Sequence, residues 1–251
     1  MKPTPRFLLL ILSFALLAGV AQAAADGPTP YPDPKSEAAW PGKGPIRCFP
    51  WMVQNRAYFW TQRAKDQGAI VFAGDSLTAG WKAPLLAAAF PGVKIANRGV
   101  GGDTSRGLLF RFKEDVIDLH PRAVMLLIGG NDLSAHGNPA HVIENLTAVL
   151  DQLRAAAPTI PVILCIGPAS ANPQAPHKPG ARADLVARLT ALGASRPDVT
   201  LLNLFPLMST PEGAPIPEYY AKDLVHLSQK GYEKWLEALV PVFAKLGLNK
   251  P

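Results

Sequence analysis

The stretch Ala69-Ile70-Val71-Phe72-Ala73 runs directly into Gly74-Asp75-Ser76-Leu77, and this junction between an apolar run and a polar turn decides the fold. The run is too short and too uniformly apolar for an amphipathic helix, and it predicts a strand buried on both faces of a parallel sheet. A serine directly after such a strand lies at the carboxyl edge of the sheet, where open α/β sheets place their functional groups.

The same pattern recurs along the chain, with longer amphipathic stretches between the apolar runs. The predicted strands cover residues 69–73, 93–96, 123–128, 162–166 and 199–204. The predicted helices cover residues 53–67, 84–90, 104–119, 139–157, 182–196 and 228–246. This alternation predicts an α/β fold, a three-layer α/β/α sandwich in one domain that spans residues 51–251.

Two segments precede the predicted domain. Residues 1–23 carry two basic residues among the first six, Lys2 and Arg6, and continue with an apolar run. The segment ends on Ala21-Gln22-Ala23. This order predicts a signal peptide that is cleaved after residue 23 and directs export to the periplasm or the medium. An uncleaved anchor is the alternative, but the run is shorter than the roughly 20 residues that span a bilayer core, so we expect no stable membrane anchor. Residues 24–50 are rich in proline and glycine and predict an extended arm.

The composition excludes several classes of protein. A chain of 251 residues with 48% hydrophobic residues is not intrinsically disordered. The formal charge is +6, but the basic residues form no run, so the sequence predicts no nucleic-acid partner. Two cysteines exclude a disulfide scaffold and a thiolate zinc cluster. Cys165 in its apolar run favours a buried free thiol over a disulfide with Cys48, and no feature predicts an oligomeric state.

The turns after the first two predicted strands carry candidate functional residues. Ser76 follows the first strand, but Thr78 breaks the pattern G-x-S-x-G, which argues against an α/β-hydrolase. A helix N-cap is the alternative role for this serine. The turn over residues 97–105 contains glycines that can leave backbone N–H groups exposed to a small anion. A dinucleotide-binding loop is the competing interpretation, but it requires glycine where Thr104 stands.

Two later turns add an amide and an acid–base pair. Asn131 follows the third strand within Gly129-Gly130-Asn131-Asp132, where its side-chain N–H can stabilise a developing oxyanion. A turn-forming Asn-Asp pair is the alternative interpretation. After the fifth strand, Asp223 precedes His226 by three residues, a spacing that lets the carboxylate fix the tautomer of the imidazole.

The ordered set of turns resembles the signature blocks of the SGNH (GDSL) hydrolase family, from about residue 70 to the last helix. Gly74-Asp75-Ser76-Leu77 matches the first block. The second, third and last blocks are matched by Gly102, by Asn131, and by the pair Asp223 and His226. The resemblance implies that Ser76 is the nucleophile, His226 the general base and Asp223 the orienting acid. It also implies an oxyanion hole formed by the N–H groups of Ser76 and Gly102 and by the Asn131 amide.

The resemblance further implies a flavodoxin-like, five-stranded parallel sheet of order 2-1-3-4-5, hydrolysis of acyl esters, and no metal or organic cofactor. Residues 97–104 are similar to the catalytic subunits of platelet-activating-factor acetylhydrolases, and residues 74–80 resemble the periplasmic thioesterase/lysophospholipase branch. From the first likeness and the lack of an amphipathic lid, we expect a small-molecule substrate with a short, acetyl-like acyl group, such as an acetylated carbohydrate. Thioesterase or lysophospholipase action on longer chains is the alternative, and a non-catalytic binding protein is a remote one.

Side chains near these blocks are predicted to have supporting roles. We expect three aspartates to support the site through hydrogen bonds: Asp75, Asp103 and Asp132. We expect three tryptophans to be packing residues rather than a sugar platform: Trp40, Trp51 and Trp60. The pocket wall is predicted to come from residues 77–81, 133–139 and 168–179, whereas His177 is expected at the surface.

Overall fold

The structure is a computed structural model in which residues 27–251 are described. The predicted signal peptide, residues 1–23, lies outside the described residues, as does the start of the predicted arm. Between residues 27 and 251, no helix is both long and apolar enough to cross a bilayer.

Five parallel strands form the central sheet in the order β2-β1-β3-β4-β5. Their bounds are β1 Ile70–Gly74, β2 Ile95–Gly99, β3 Ala123–Leu127, β4 Val162–Ile166 and β5 Val199–Asn203. Every residue of β1, β3 and β4 is buried, as expected for strands that are covered on both faces. The strand order and direction confirm the predicted fold class.

Helices connect the strands and cover both faces of the sheet. Their bounds are α1 Pro50–Gln62, α2 Ser76–Ala79, α3 Ala83–Ala89, α4 Ser105–Asp115, α5 Gly130–Ser134, α6 Pro139–Ala156, α7 Ala181–Ala194 and α8 Gln229–Lys245. Three 3-10 turns lie at Glu37–Ala39, Ile117–Leu119 and Pro217–Tyr219. The one-turn helices α2 and α5 were not predicted, because a single turn is too short to show helical periodicity.

The core divides into two layers of side chains, one on each face of the sheet. On one face, alternate strand residues pack against α4, α6 and α7. On the other face, the intervening strand residues pack against α3 and α8, including the fully buried Trp235. This period-two alternation places helices on both faces and completes the three-layer sandwich.

The predicted second strand, residues 93–96, differs from the observed strand. β2 begins at Ile95 and continues through two polar residues, Asn97 and Arg98. The side chain of Asn97 donates to the carbonyl of Thr78 at 2.9 Å, and buried Arg98 forms an ion pair with Asp66 at 2.8 Å. Because both polar side chains find partners, the strand extends beyond its apolar segment.

Several predicted helix boundaries also differ, most of all in the first helix and in the helix after β2. The first helix spans Pro50–Gln62 rather than residues 53–67, and it can begin at Pro50 because proline at a first helical position loses no hydrogen bond. The helix predicted over residues 104–119 ends at Asp115, and a 3-10 turn follows. Pro139 and Ser228 begin their helices as predicted, and the Ser228 hydroxyl accepts from the Gly231 N–H at 3.2 Å.

The described part of the arm, residues 27–49, is bound to the helical layer by specific hydrogen bonds. Arg106 of α4 donates to the carbonyls of Pro41 at 3.0 Å and Gly44 at 3.1 Å. Asn145 of α6 exchanges two hydrogen bonds with the backbone of Lys43. These contacts lead the chain to the carboxyl edge of the sheet, where the candidate site lies. Cys48 at the end of the arm is a free thiol, as is buried Cys165.

Candidate active site

The predicted nucleophile and base lie within hydrogen-bond distance of each other at the carboxyl edge of the sheet. Ser76 is the first residue of α2, directly beyond the end of β1. Its Oγ lies 3.0 Å from Nε2 of His226, and Nδ1 of that ring lies 2.6 Å from Oδ2 of Asp223. Ser76 and the distant pair Asp223 and His226 therefore form one continuous hydrogen-bonded series.

The turn over residues 223–226 holds the carboxylate against the ring. Oδ1 of Asp223 accepts from the backbone N–H groups of Val225 and His226, both at 3.0 Å. Partial burial alone would raise the pKa of Asp223, but the hydrogen bonds from His226 and from the backbone hold it below its ordinary value. The carboxylate is therefore ionised at neutral pH, and its other oxygen is left to orient the imidazole.

Two backbone N–H groups at the site are available to a ligand. Within residues 27–251, the N–H groups of Ser76 and Gly102 donate to no protein acceptor. Gly102 has a positive φ of 83°, which suits glycine and turns its peptide away from regular structure. Both residues line the same cavity, so two free donors border the space next to the serine hydroxyl.

Asn131 of α5 completes the predicted set of donors. Its Nδ2 donates to the carbonyl of Asp103 at 3.0 Å, and its Oδ1 accepts from Nη1 of Arg47 at 2.9 Å. An amide nitrogen carries two N–H groups, so the bond to Asp103 leaves one donor for a ligand in the cavity. The structure therefore brings Ser76, Gly102, Asn131, Asp223 and His226 to one site.

The three aspartates next to these residues make supporting hydrogen bonds, as the sequence predicts. Asp75 accepts from the Leu77 N–H at 3.0 Å and caps α2, and burial raises its pKa to about 7. Asp103 forms a buried ion pair with Arg111 at 2.8 Å. Asp132 accepts from the hydroxyl of Ser105 at 2.7 Å and also from its N–H, and burial raises its pKa to about 6. These bonds fix the turns that carry the candidate residues.

The candidate residues open onto a cavity of about 420 Å³. One wall is apolar and includes Leu127, Ile166, Leu185 and Leu189. The loop after β4, residues 167–177, forms another wall, as predicted for residues 168–179. Across the part of the chain that the structure covers, no group of three or more His, Cys, Asp or Glu side chains is arranged to hold a metal ion.

Several residues at the cavity were not predicted from the sequence. Trp51 was expected to be a packing residue, but it is 47% exposed and lines the cavity. Its Nε1 donates to the carbonyl of Gly101 at 2.8 Å, and its ring stacks on Phe49 with the centroids 4.5 Å apart. Arg47 of the arm also lines the cavity, and its stretch has no periodic pattern that could predict this position. His177 lines the cavity as part of the predicted loop wall, although its own ring was expected at the surface.

Comparison with known proteins gives a consistent family assignment. The GDSL-like Lipase/Acylhydrolase family model matches residues 72–234, a range that contains all five candidate residues. A GDSL-like lipase from Bacteroides thetaiotaomicron is 27% identical, with a TM-score of 0.65 over 75% of this chain and 96% of that chain. A lipase/acylhydrolase from Enterococcus faecalis is 26% identical, with a TM-score of 0.59 over 70% of this chain and 95% of that chain.

One curated relative is similar over a short segment. An acetylxylan esterase from Geobacillus stearothermophilus is 43% identical over 51 residues, which are 20% of this chain and 23% of that enzyme. This match covers too little of either protein to carry an activity across. The family model, by contrast, covers more than half of the chain and agrees with the strand order and the positions of the signature blocks. The chain therefore belongs to the GDSL-like lipase/acylhydrolase family of hydrolases.

Proposed function

We propose that this chain hydrolyses acyl esters through a covalent acyl-enzyme formed on Ser76. The observation that carries the proposal is the series from Ser76 Oγ to His226 Nε2 at 3.0 Å and from His226 Nδ1 to Asp223 Oδ2 at 2.6 Å. A serine hydroxyl is a weak nucleophile unless a base accepts its proton during the attack. In the proposed mechanism, His226 accepts that proton and returns it to the leaving alcohol, which contributes about 10²–10⁴-fold in rate.

The tetrahedral intermediate needs donors for its negative oxygen. The free N–H groups of Ser76 and Gly102 and the second N–H of the Asn131 amide are proposed to supply them. Donors that are already oriented in the free enzyme need no reorganisation during the reaction, and each stabilises the transition state by roughly 3–4 kcal/mol. Water then attacks the acyl-enzyme along the same path, with His226 again acting as the base.

The proposed substrates are short-chain esters, most specifically acetylated carbohydrates. The local likeness to an acetylxylan esterase supports this choice. Trp51 at the cavity, whose ring stacks on Phe49, also supports it, since the exposed face of an aromatic ring can pack on the C–H face of a sugar ring. Trp51 is anchored by its bond to the Gly101 carbonyl, so its ring keeps a fixed orientation next to the serine.

The apolar wall of the cavity favours a second candidate function. Leu127, Ile166, Leu185 and Leu189 can bury part of an acyl chain, and each buried methylene stabilises the complex by about 0.8 kcal/mol. A thioesterase or lysophospholipase that acts on longer chains would use this wall and the same five site residues. The two candidates therefore differ in how activity depends on acyl length.

A series of nitrophenyl esters from acetyl to decanoyl separates the two candidates. For the short-acyl function, kcat/KM is highest between acetyl and about butyryl, and acetylated sugars release acetate. A steady rise in kcat/KM up to decanoyl would contradict this function and favour the long-chain one. The same series on the Ser76→Ala variant measures the background that does not depend on the proposed nucleophile.

Export after cleavage of residues 1–23 is part of the proposal. It is supported by the basic, apolar and small-residue order of that segment. N-terminal sequencing of the protein recovered from the periplasm or the medium tests it. The expected first residue is Ala24, whereas an intact N-terminus on protein that stays inside the cell would contradict export.

A further inference from the structure

The arginines of the described chain differ in whether a carboxylate neutralises them. Those that form an ion pair are Arg56, Arg63, Arg98, Arg106, Arg111, Arg154, Arg188 and Arg196. Within residues 27–251, no carboxylate lies within ion-pair distance of Arg47, Arg122 or Arg182. Arg122 donates to backbone carbonyls near the C-terminus, whereas Arg47 and Arg182 both line the cavity that contains Ser76. Unpaired guanidinium groups are therefore concentrated at the candidate active site.

Of these two arginines, Arg182 has the larger unused bonding capacity. It is the second residue of α7, and its Nη2 donates to the carbonyl of Gly167 at 3.0 Å. Its Nε is buried and has no hydrogen-bond partner among the described residues, and its Nη1 donates to no acceptor there either. By contrast, Arg47 already donates to Asn131 and Ser134. The free Nη1 group can form a charge-assisted hydrogen bond to an anion in the cavity.

The other titratable groups around Arg182 leave its charge largely uncompensated. The cavity wall contains two carboxyl groups, Asp75 and Asp223, and the second is bonded to His226. Burial raises the pKa of Asp75 to about 7, which weakens its negative charge at neutral pH. Burial also raises the pKa of Tyr220, which stays a neutral phenol. Burial and the nearby charge of Arg182 lower the pKa of His177, so that ring is neutral as well.

We propose that Arg182 binds an anionic group of the substrate, so that the enzyme prefers acyl esters carrying a carboxylate close to the ester bond. The proposal rests on the proposed function, because it assumes an ester that reacts at Ser76. A partly buried cation without a counter-ion is costly to desolvate, and a ligand carboxylate would supply both the missing charge and the missing acceptors. Neutral esters of the same shape would supply no compensating charge.

Matched pairs of synthetic esters test this preference on either side of the ester bond. On the alcohol side, the pair is 3-carboxyphenyl acetate and its neutral isostere 3-carbamoylphenyl acetate. On the acyl side, the pair is mono-4-nitrophenyl succinate and the corresponding succinamate. We expect wild-type protein to prefer the carboxylate member of at least one pair by about tenfold or more in kcat/KM, the range of one charge-assisted hydrogen bond. A ratio near one for both pairs would overturn the proposal.

Variants of α7 then assign the preference to one residue. Arg182→Gln is expected to reduce the selectivity ratio at least tenfold, and Arg182→Lys to retain part of it through its point charge. Arg188→Gln is the matched control, because Arg188 lies on the same helix outside the cavity wall and pairs with Asp184 at 2.8 Å. An unchanged ratio in folded Arg182→Gln would refute the assignment. If that variant does not fold, Arg182→Met, which keeps most of the apolar stem, takes its place, and an unchanged ratio in that variant refutes the assignment in the same way.

Failure of this inference is distinguishable from failure of the proposed function. A ratio near one with full turnover of both members contradicts only the anion preference. No turnover of any ester contradicts the proposed function instead. In that case, calorimetric binding of mono-4-nitrophenyl succinate and of its succinamate to the Ser76→Ala variant still measures the preference, and equal affinity would overturn it.

Discussion

Replacing Asp223 by asparagine tests the proposed hydrogen-bonded series more sharply than removing the serine. The asparagine oxygen can still accept from the backbone N–H groups of Val225 and His226, which Asp223 Oδ1 holds at 3.0 Å. Its amide nitrogen, however, replaces the carboxylate oxygen that lies 2.6 Å from Nδ1 of the ring. That nitrogen donates rather than accepts, so the ring must carry its proton on Nε2, the atom facing Ser76. A protonated Nε2 cannot accept the serine proton.

The expected loss of activity in Asp223→Asn depends on the contribution of the general base and on the solvent exposure of Asp223 and His226. A general base contributes about 10²–10⁴-fold, and a buried triad with the wrong tautomer loses about 10⁴-fold. The side chains of Asp223 and His226 are 45% and 49% exposed, so water can reorient the ring part of the time. We therefore expect kcat to fall by about 10²–10³-fold, with KM changed by less than about threefold because the substrate contacts are kept.

Steady-state kinetics on a nitrophenyl acetate, with ¹⁵N spectra of the histidine ring, measure both parts of this prediction. The spectrum of the variant should show the proton on Nε2 of His226 instead of Nδ1. Glu218→Gln is the control, because Glu218 is an exposed acid outside the cavity wall that pairs with Lys230 at 3.2 Å. An Asp223→Asn enzyme with kcat within tenfold of wild type, or with its proton still on Nδ1, would refute the reasoning.

Three further substitutions have expected outcomes. Ser76→Ala is expected to abolish both ester hydrolysis and labelling by an organophosphonate, without a change in the melting temperature. Activity near the wild-type level in folded variant protein would exclude Ser76 as the nucleophile. Arg47→Met removes the donor to the Asn131 oxygen, so we expect kcat on a neutral ester to fall by about tenfold with little change in KM. A rise in KM alone would contradict the role of Arg47 in positioning the Asn131 amide. Gly231→Ala places a Cβ 2.2 Å from the carbonyl oxygen of Tyr219, so we expect the free energy of unfolding to fall by about 1–3 kcal/mol. An unchanged unfolding midpoint in a denaturant titration would contradict this close approach.

The positions of three candidate residues could be predicted from the sequence because each of them lies in the turn that follows a strand. Parallel strands end at one edge of the sheet, so the turns after β1, β2 and β3 meet there without any knowledge of side-chain contacts. Ser76, Gly102 and Asn131 come together for this reason. Asp223 and His226 join them because their three-residue spacing fits a turn in which the carboxylate reaches both the backbone and the ring.

The residues that shape the cavity could not be predicted, because their positions depend on contacts distant in sequence. Arg47 and Trp51 reach the site through contacts distant in sequence, which include the bonds from Arg106 to the carbonyls of Pro41 and Gly44 in the arm. No period or turn signal in a proline-rich stretch indicates such contacts. Arg182 looks like an ordinary residue of a helix start, since ion pairing between distant residues is not visible in a sequence.

The family assignment indicates that the chain is a hydrolase. The choice of substrate is expected to depend on cavity residues that the sequence pattern does not reveal. In the proposed mechanism, the five block residues orient one serine and one oxyanion, and none of these roles depends on the alcohol or on the far end of the acyl chain. We therefore expect selectivity to come from Arg47 in the arm, from Trp51 at the start of α1, from the loop over residues 167–177, and from Arg182 on α7. We expect substitution of the exposed cavity side chains among them to change which ester is accepted while the proposed chemistry continues. Trp51 and the unpaired guanidinium of Arg182 line the same cavity as Ser76. An acetylated sugar that bears a carboxylate would satisfy both features at once, and it is the substrate class that the two proposals together predict.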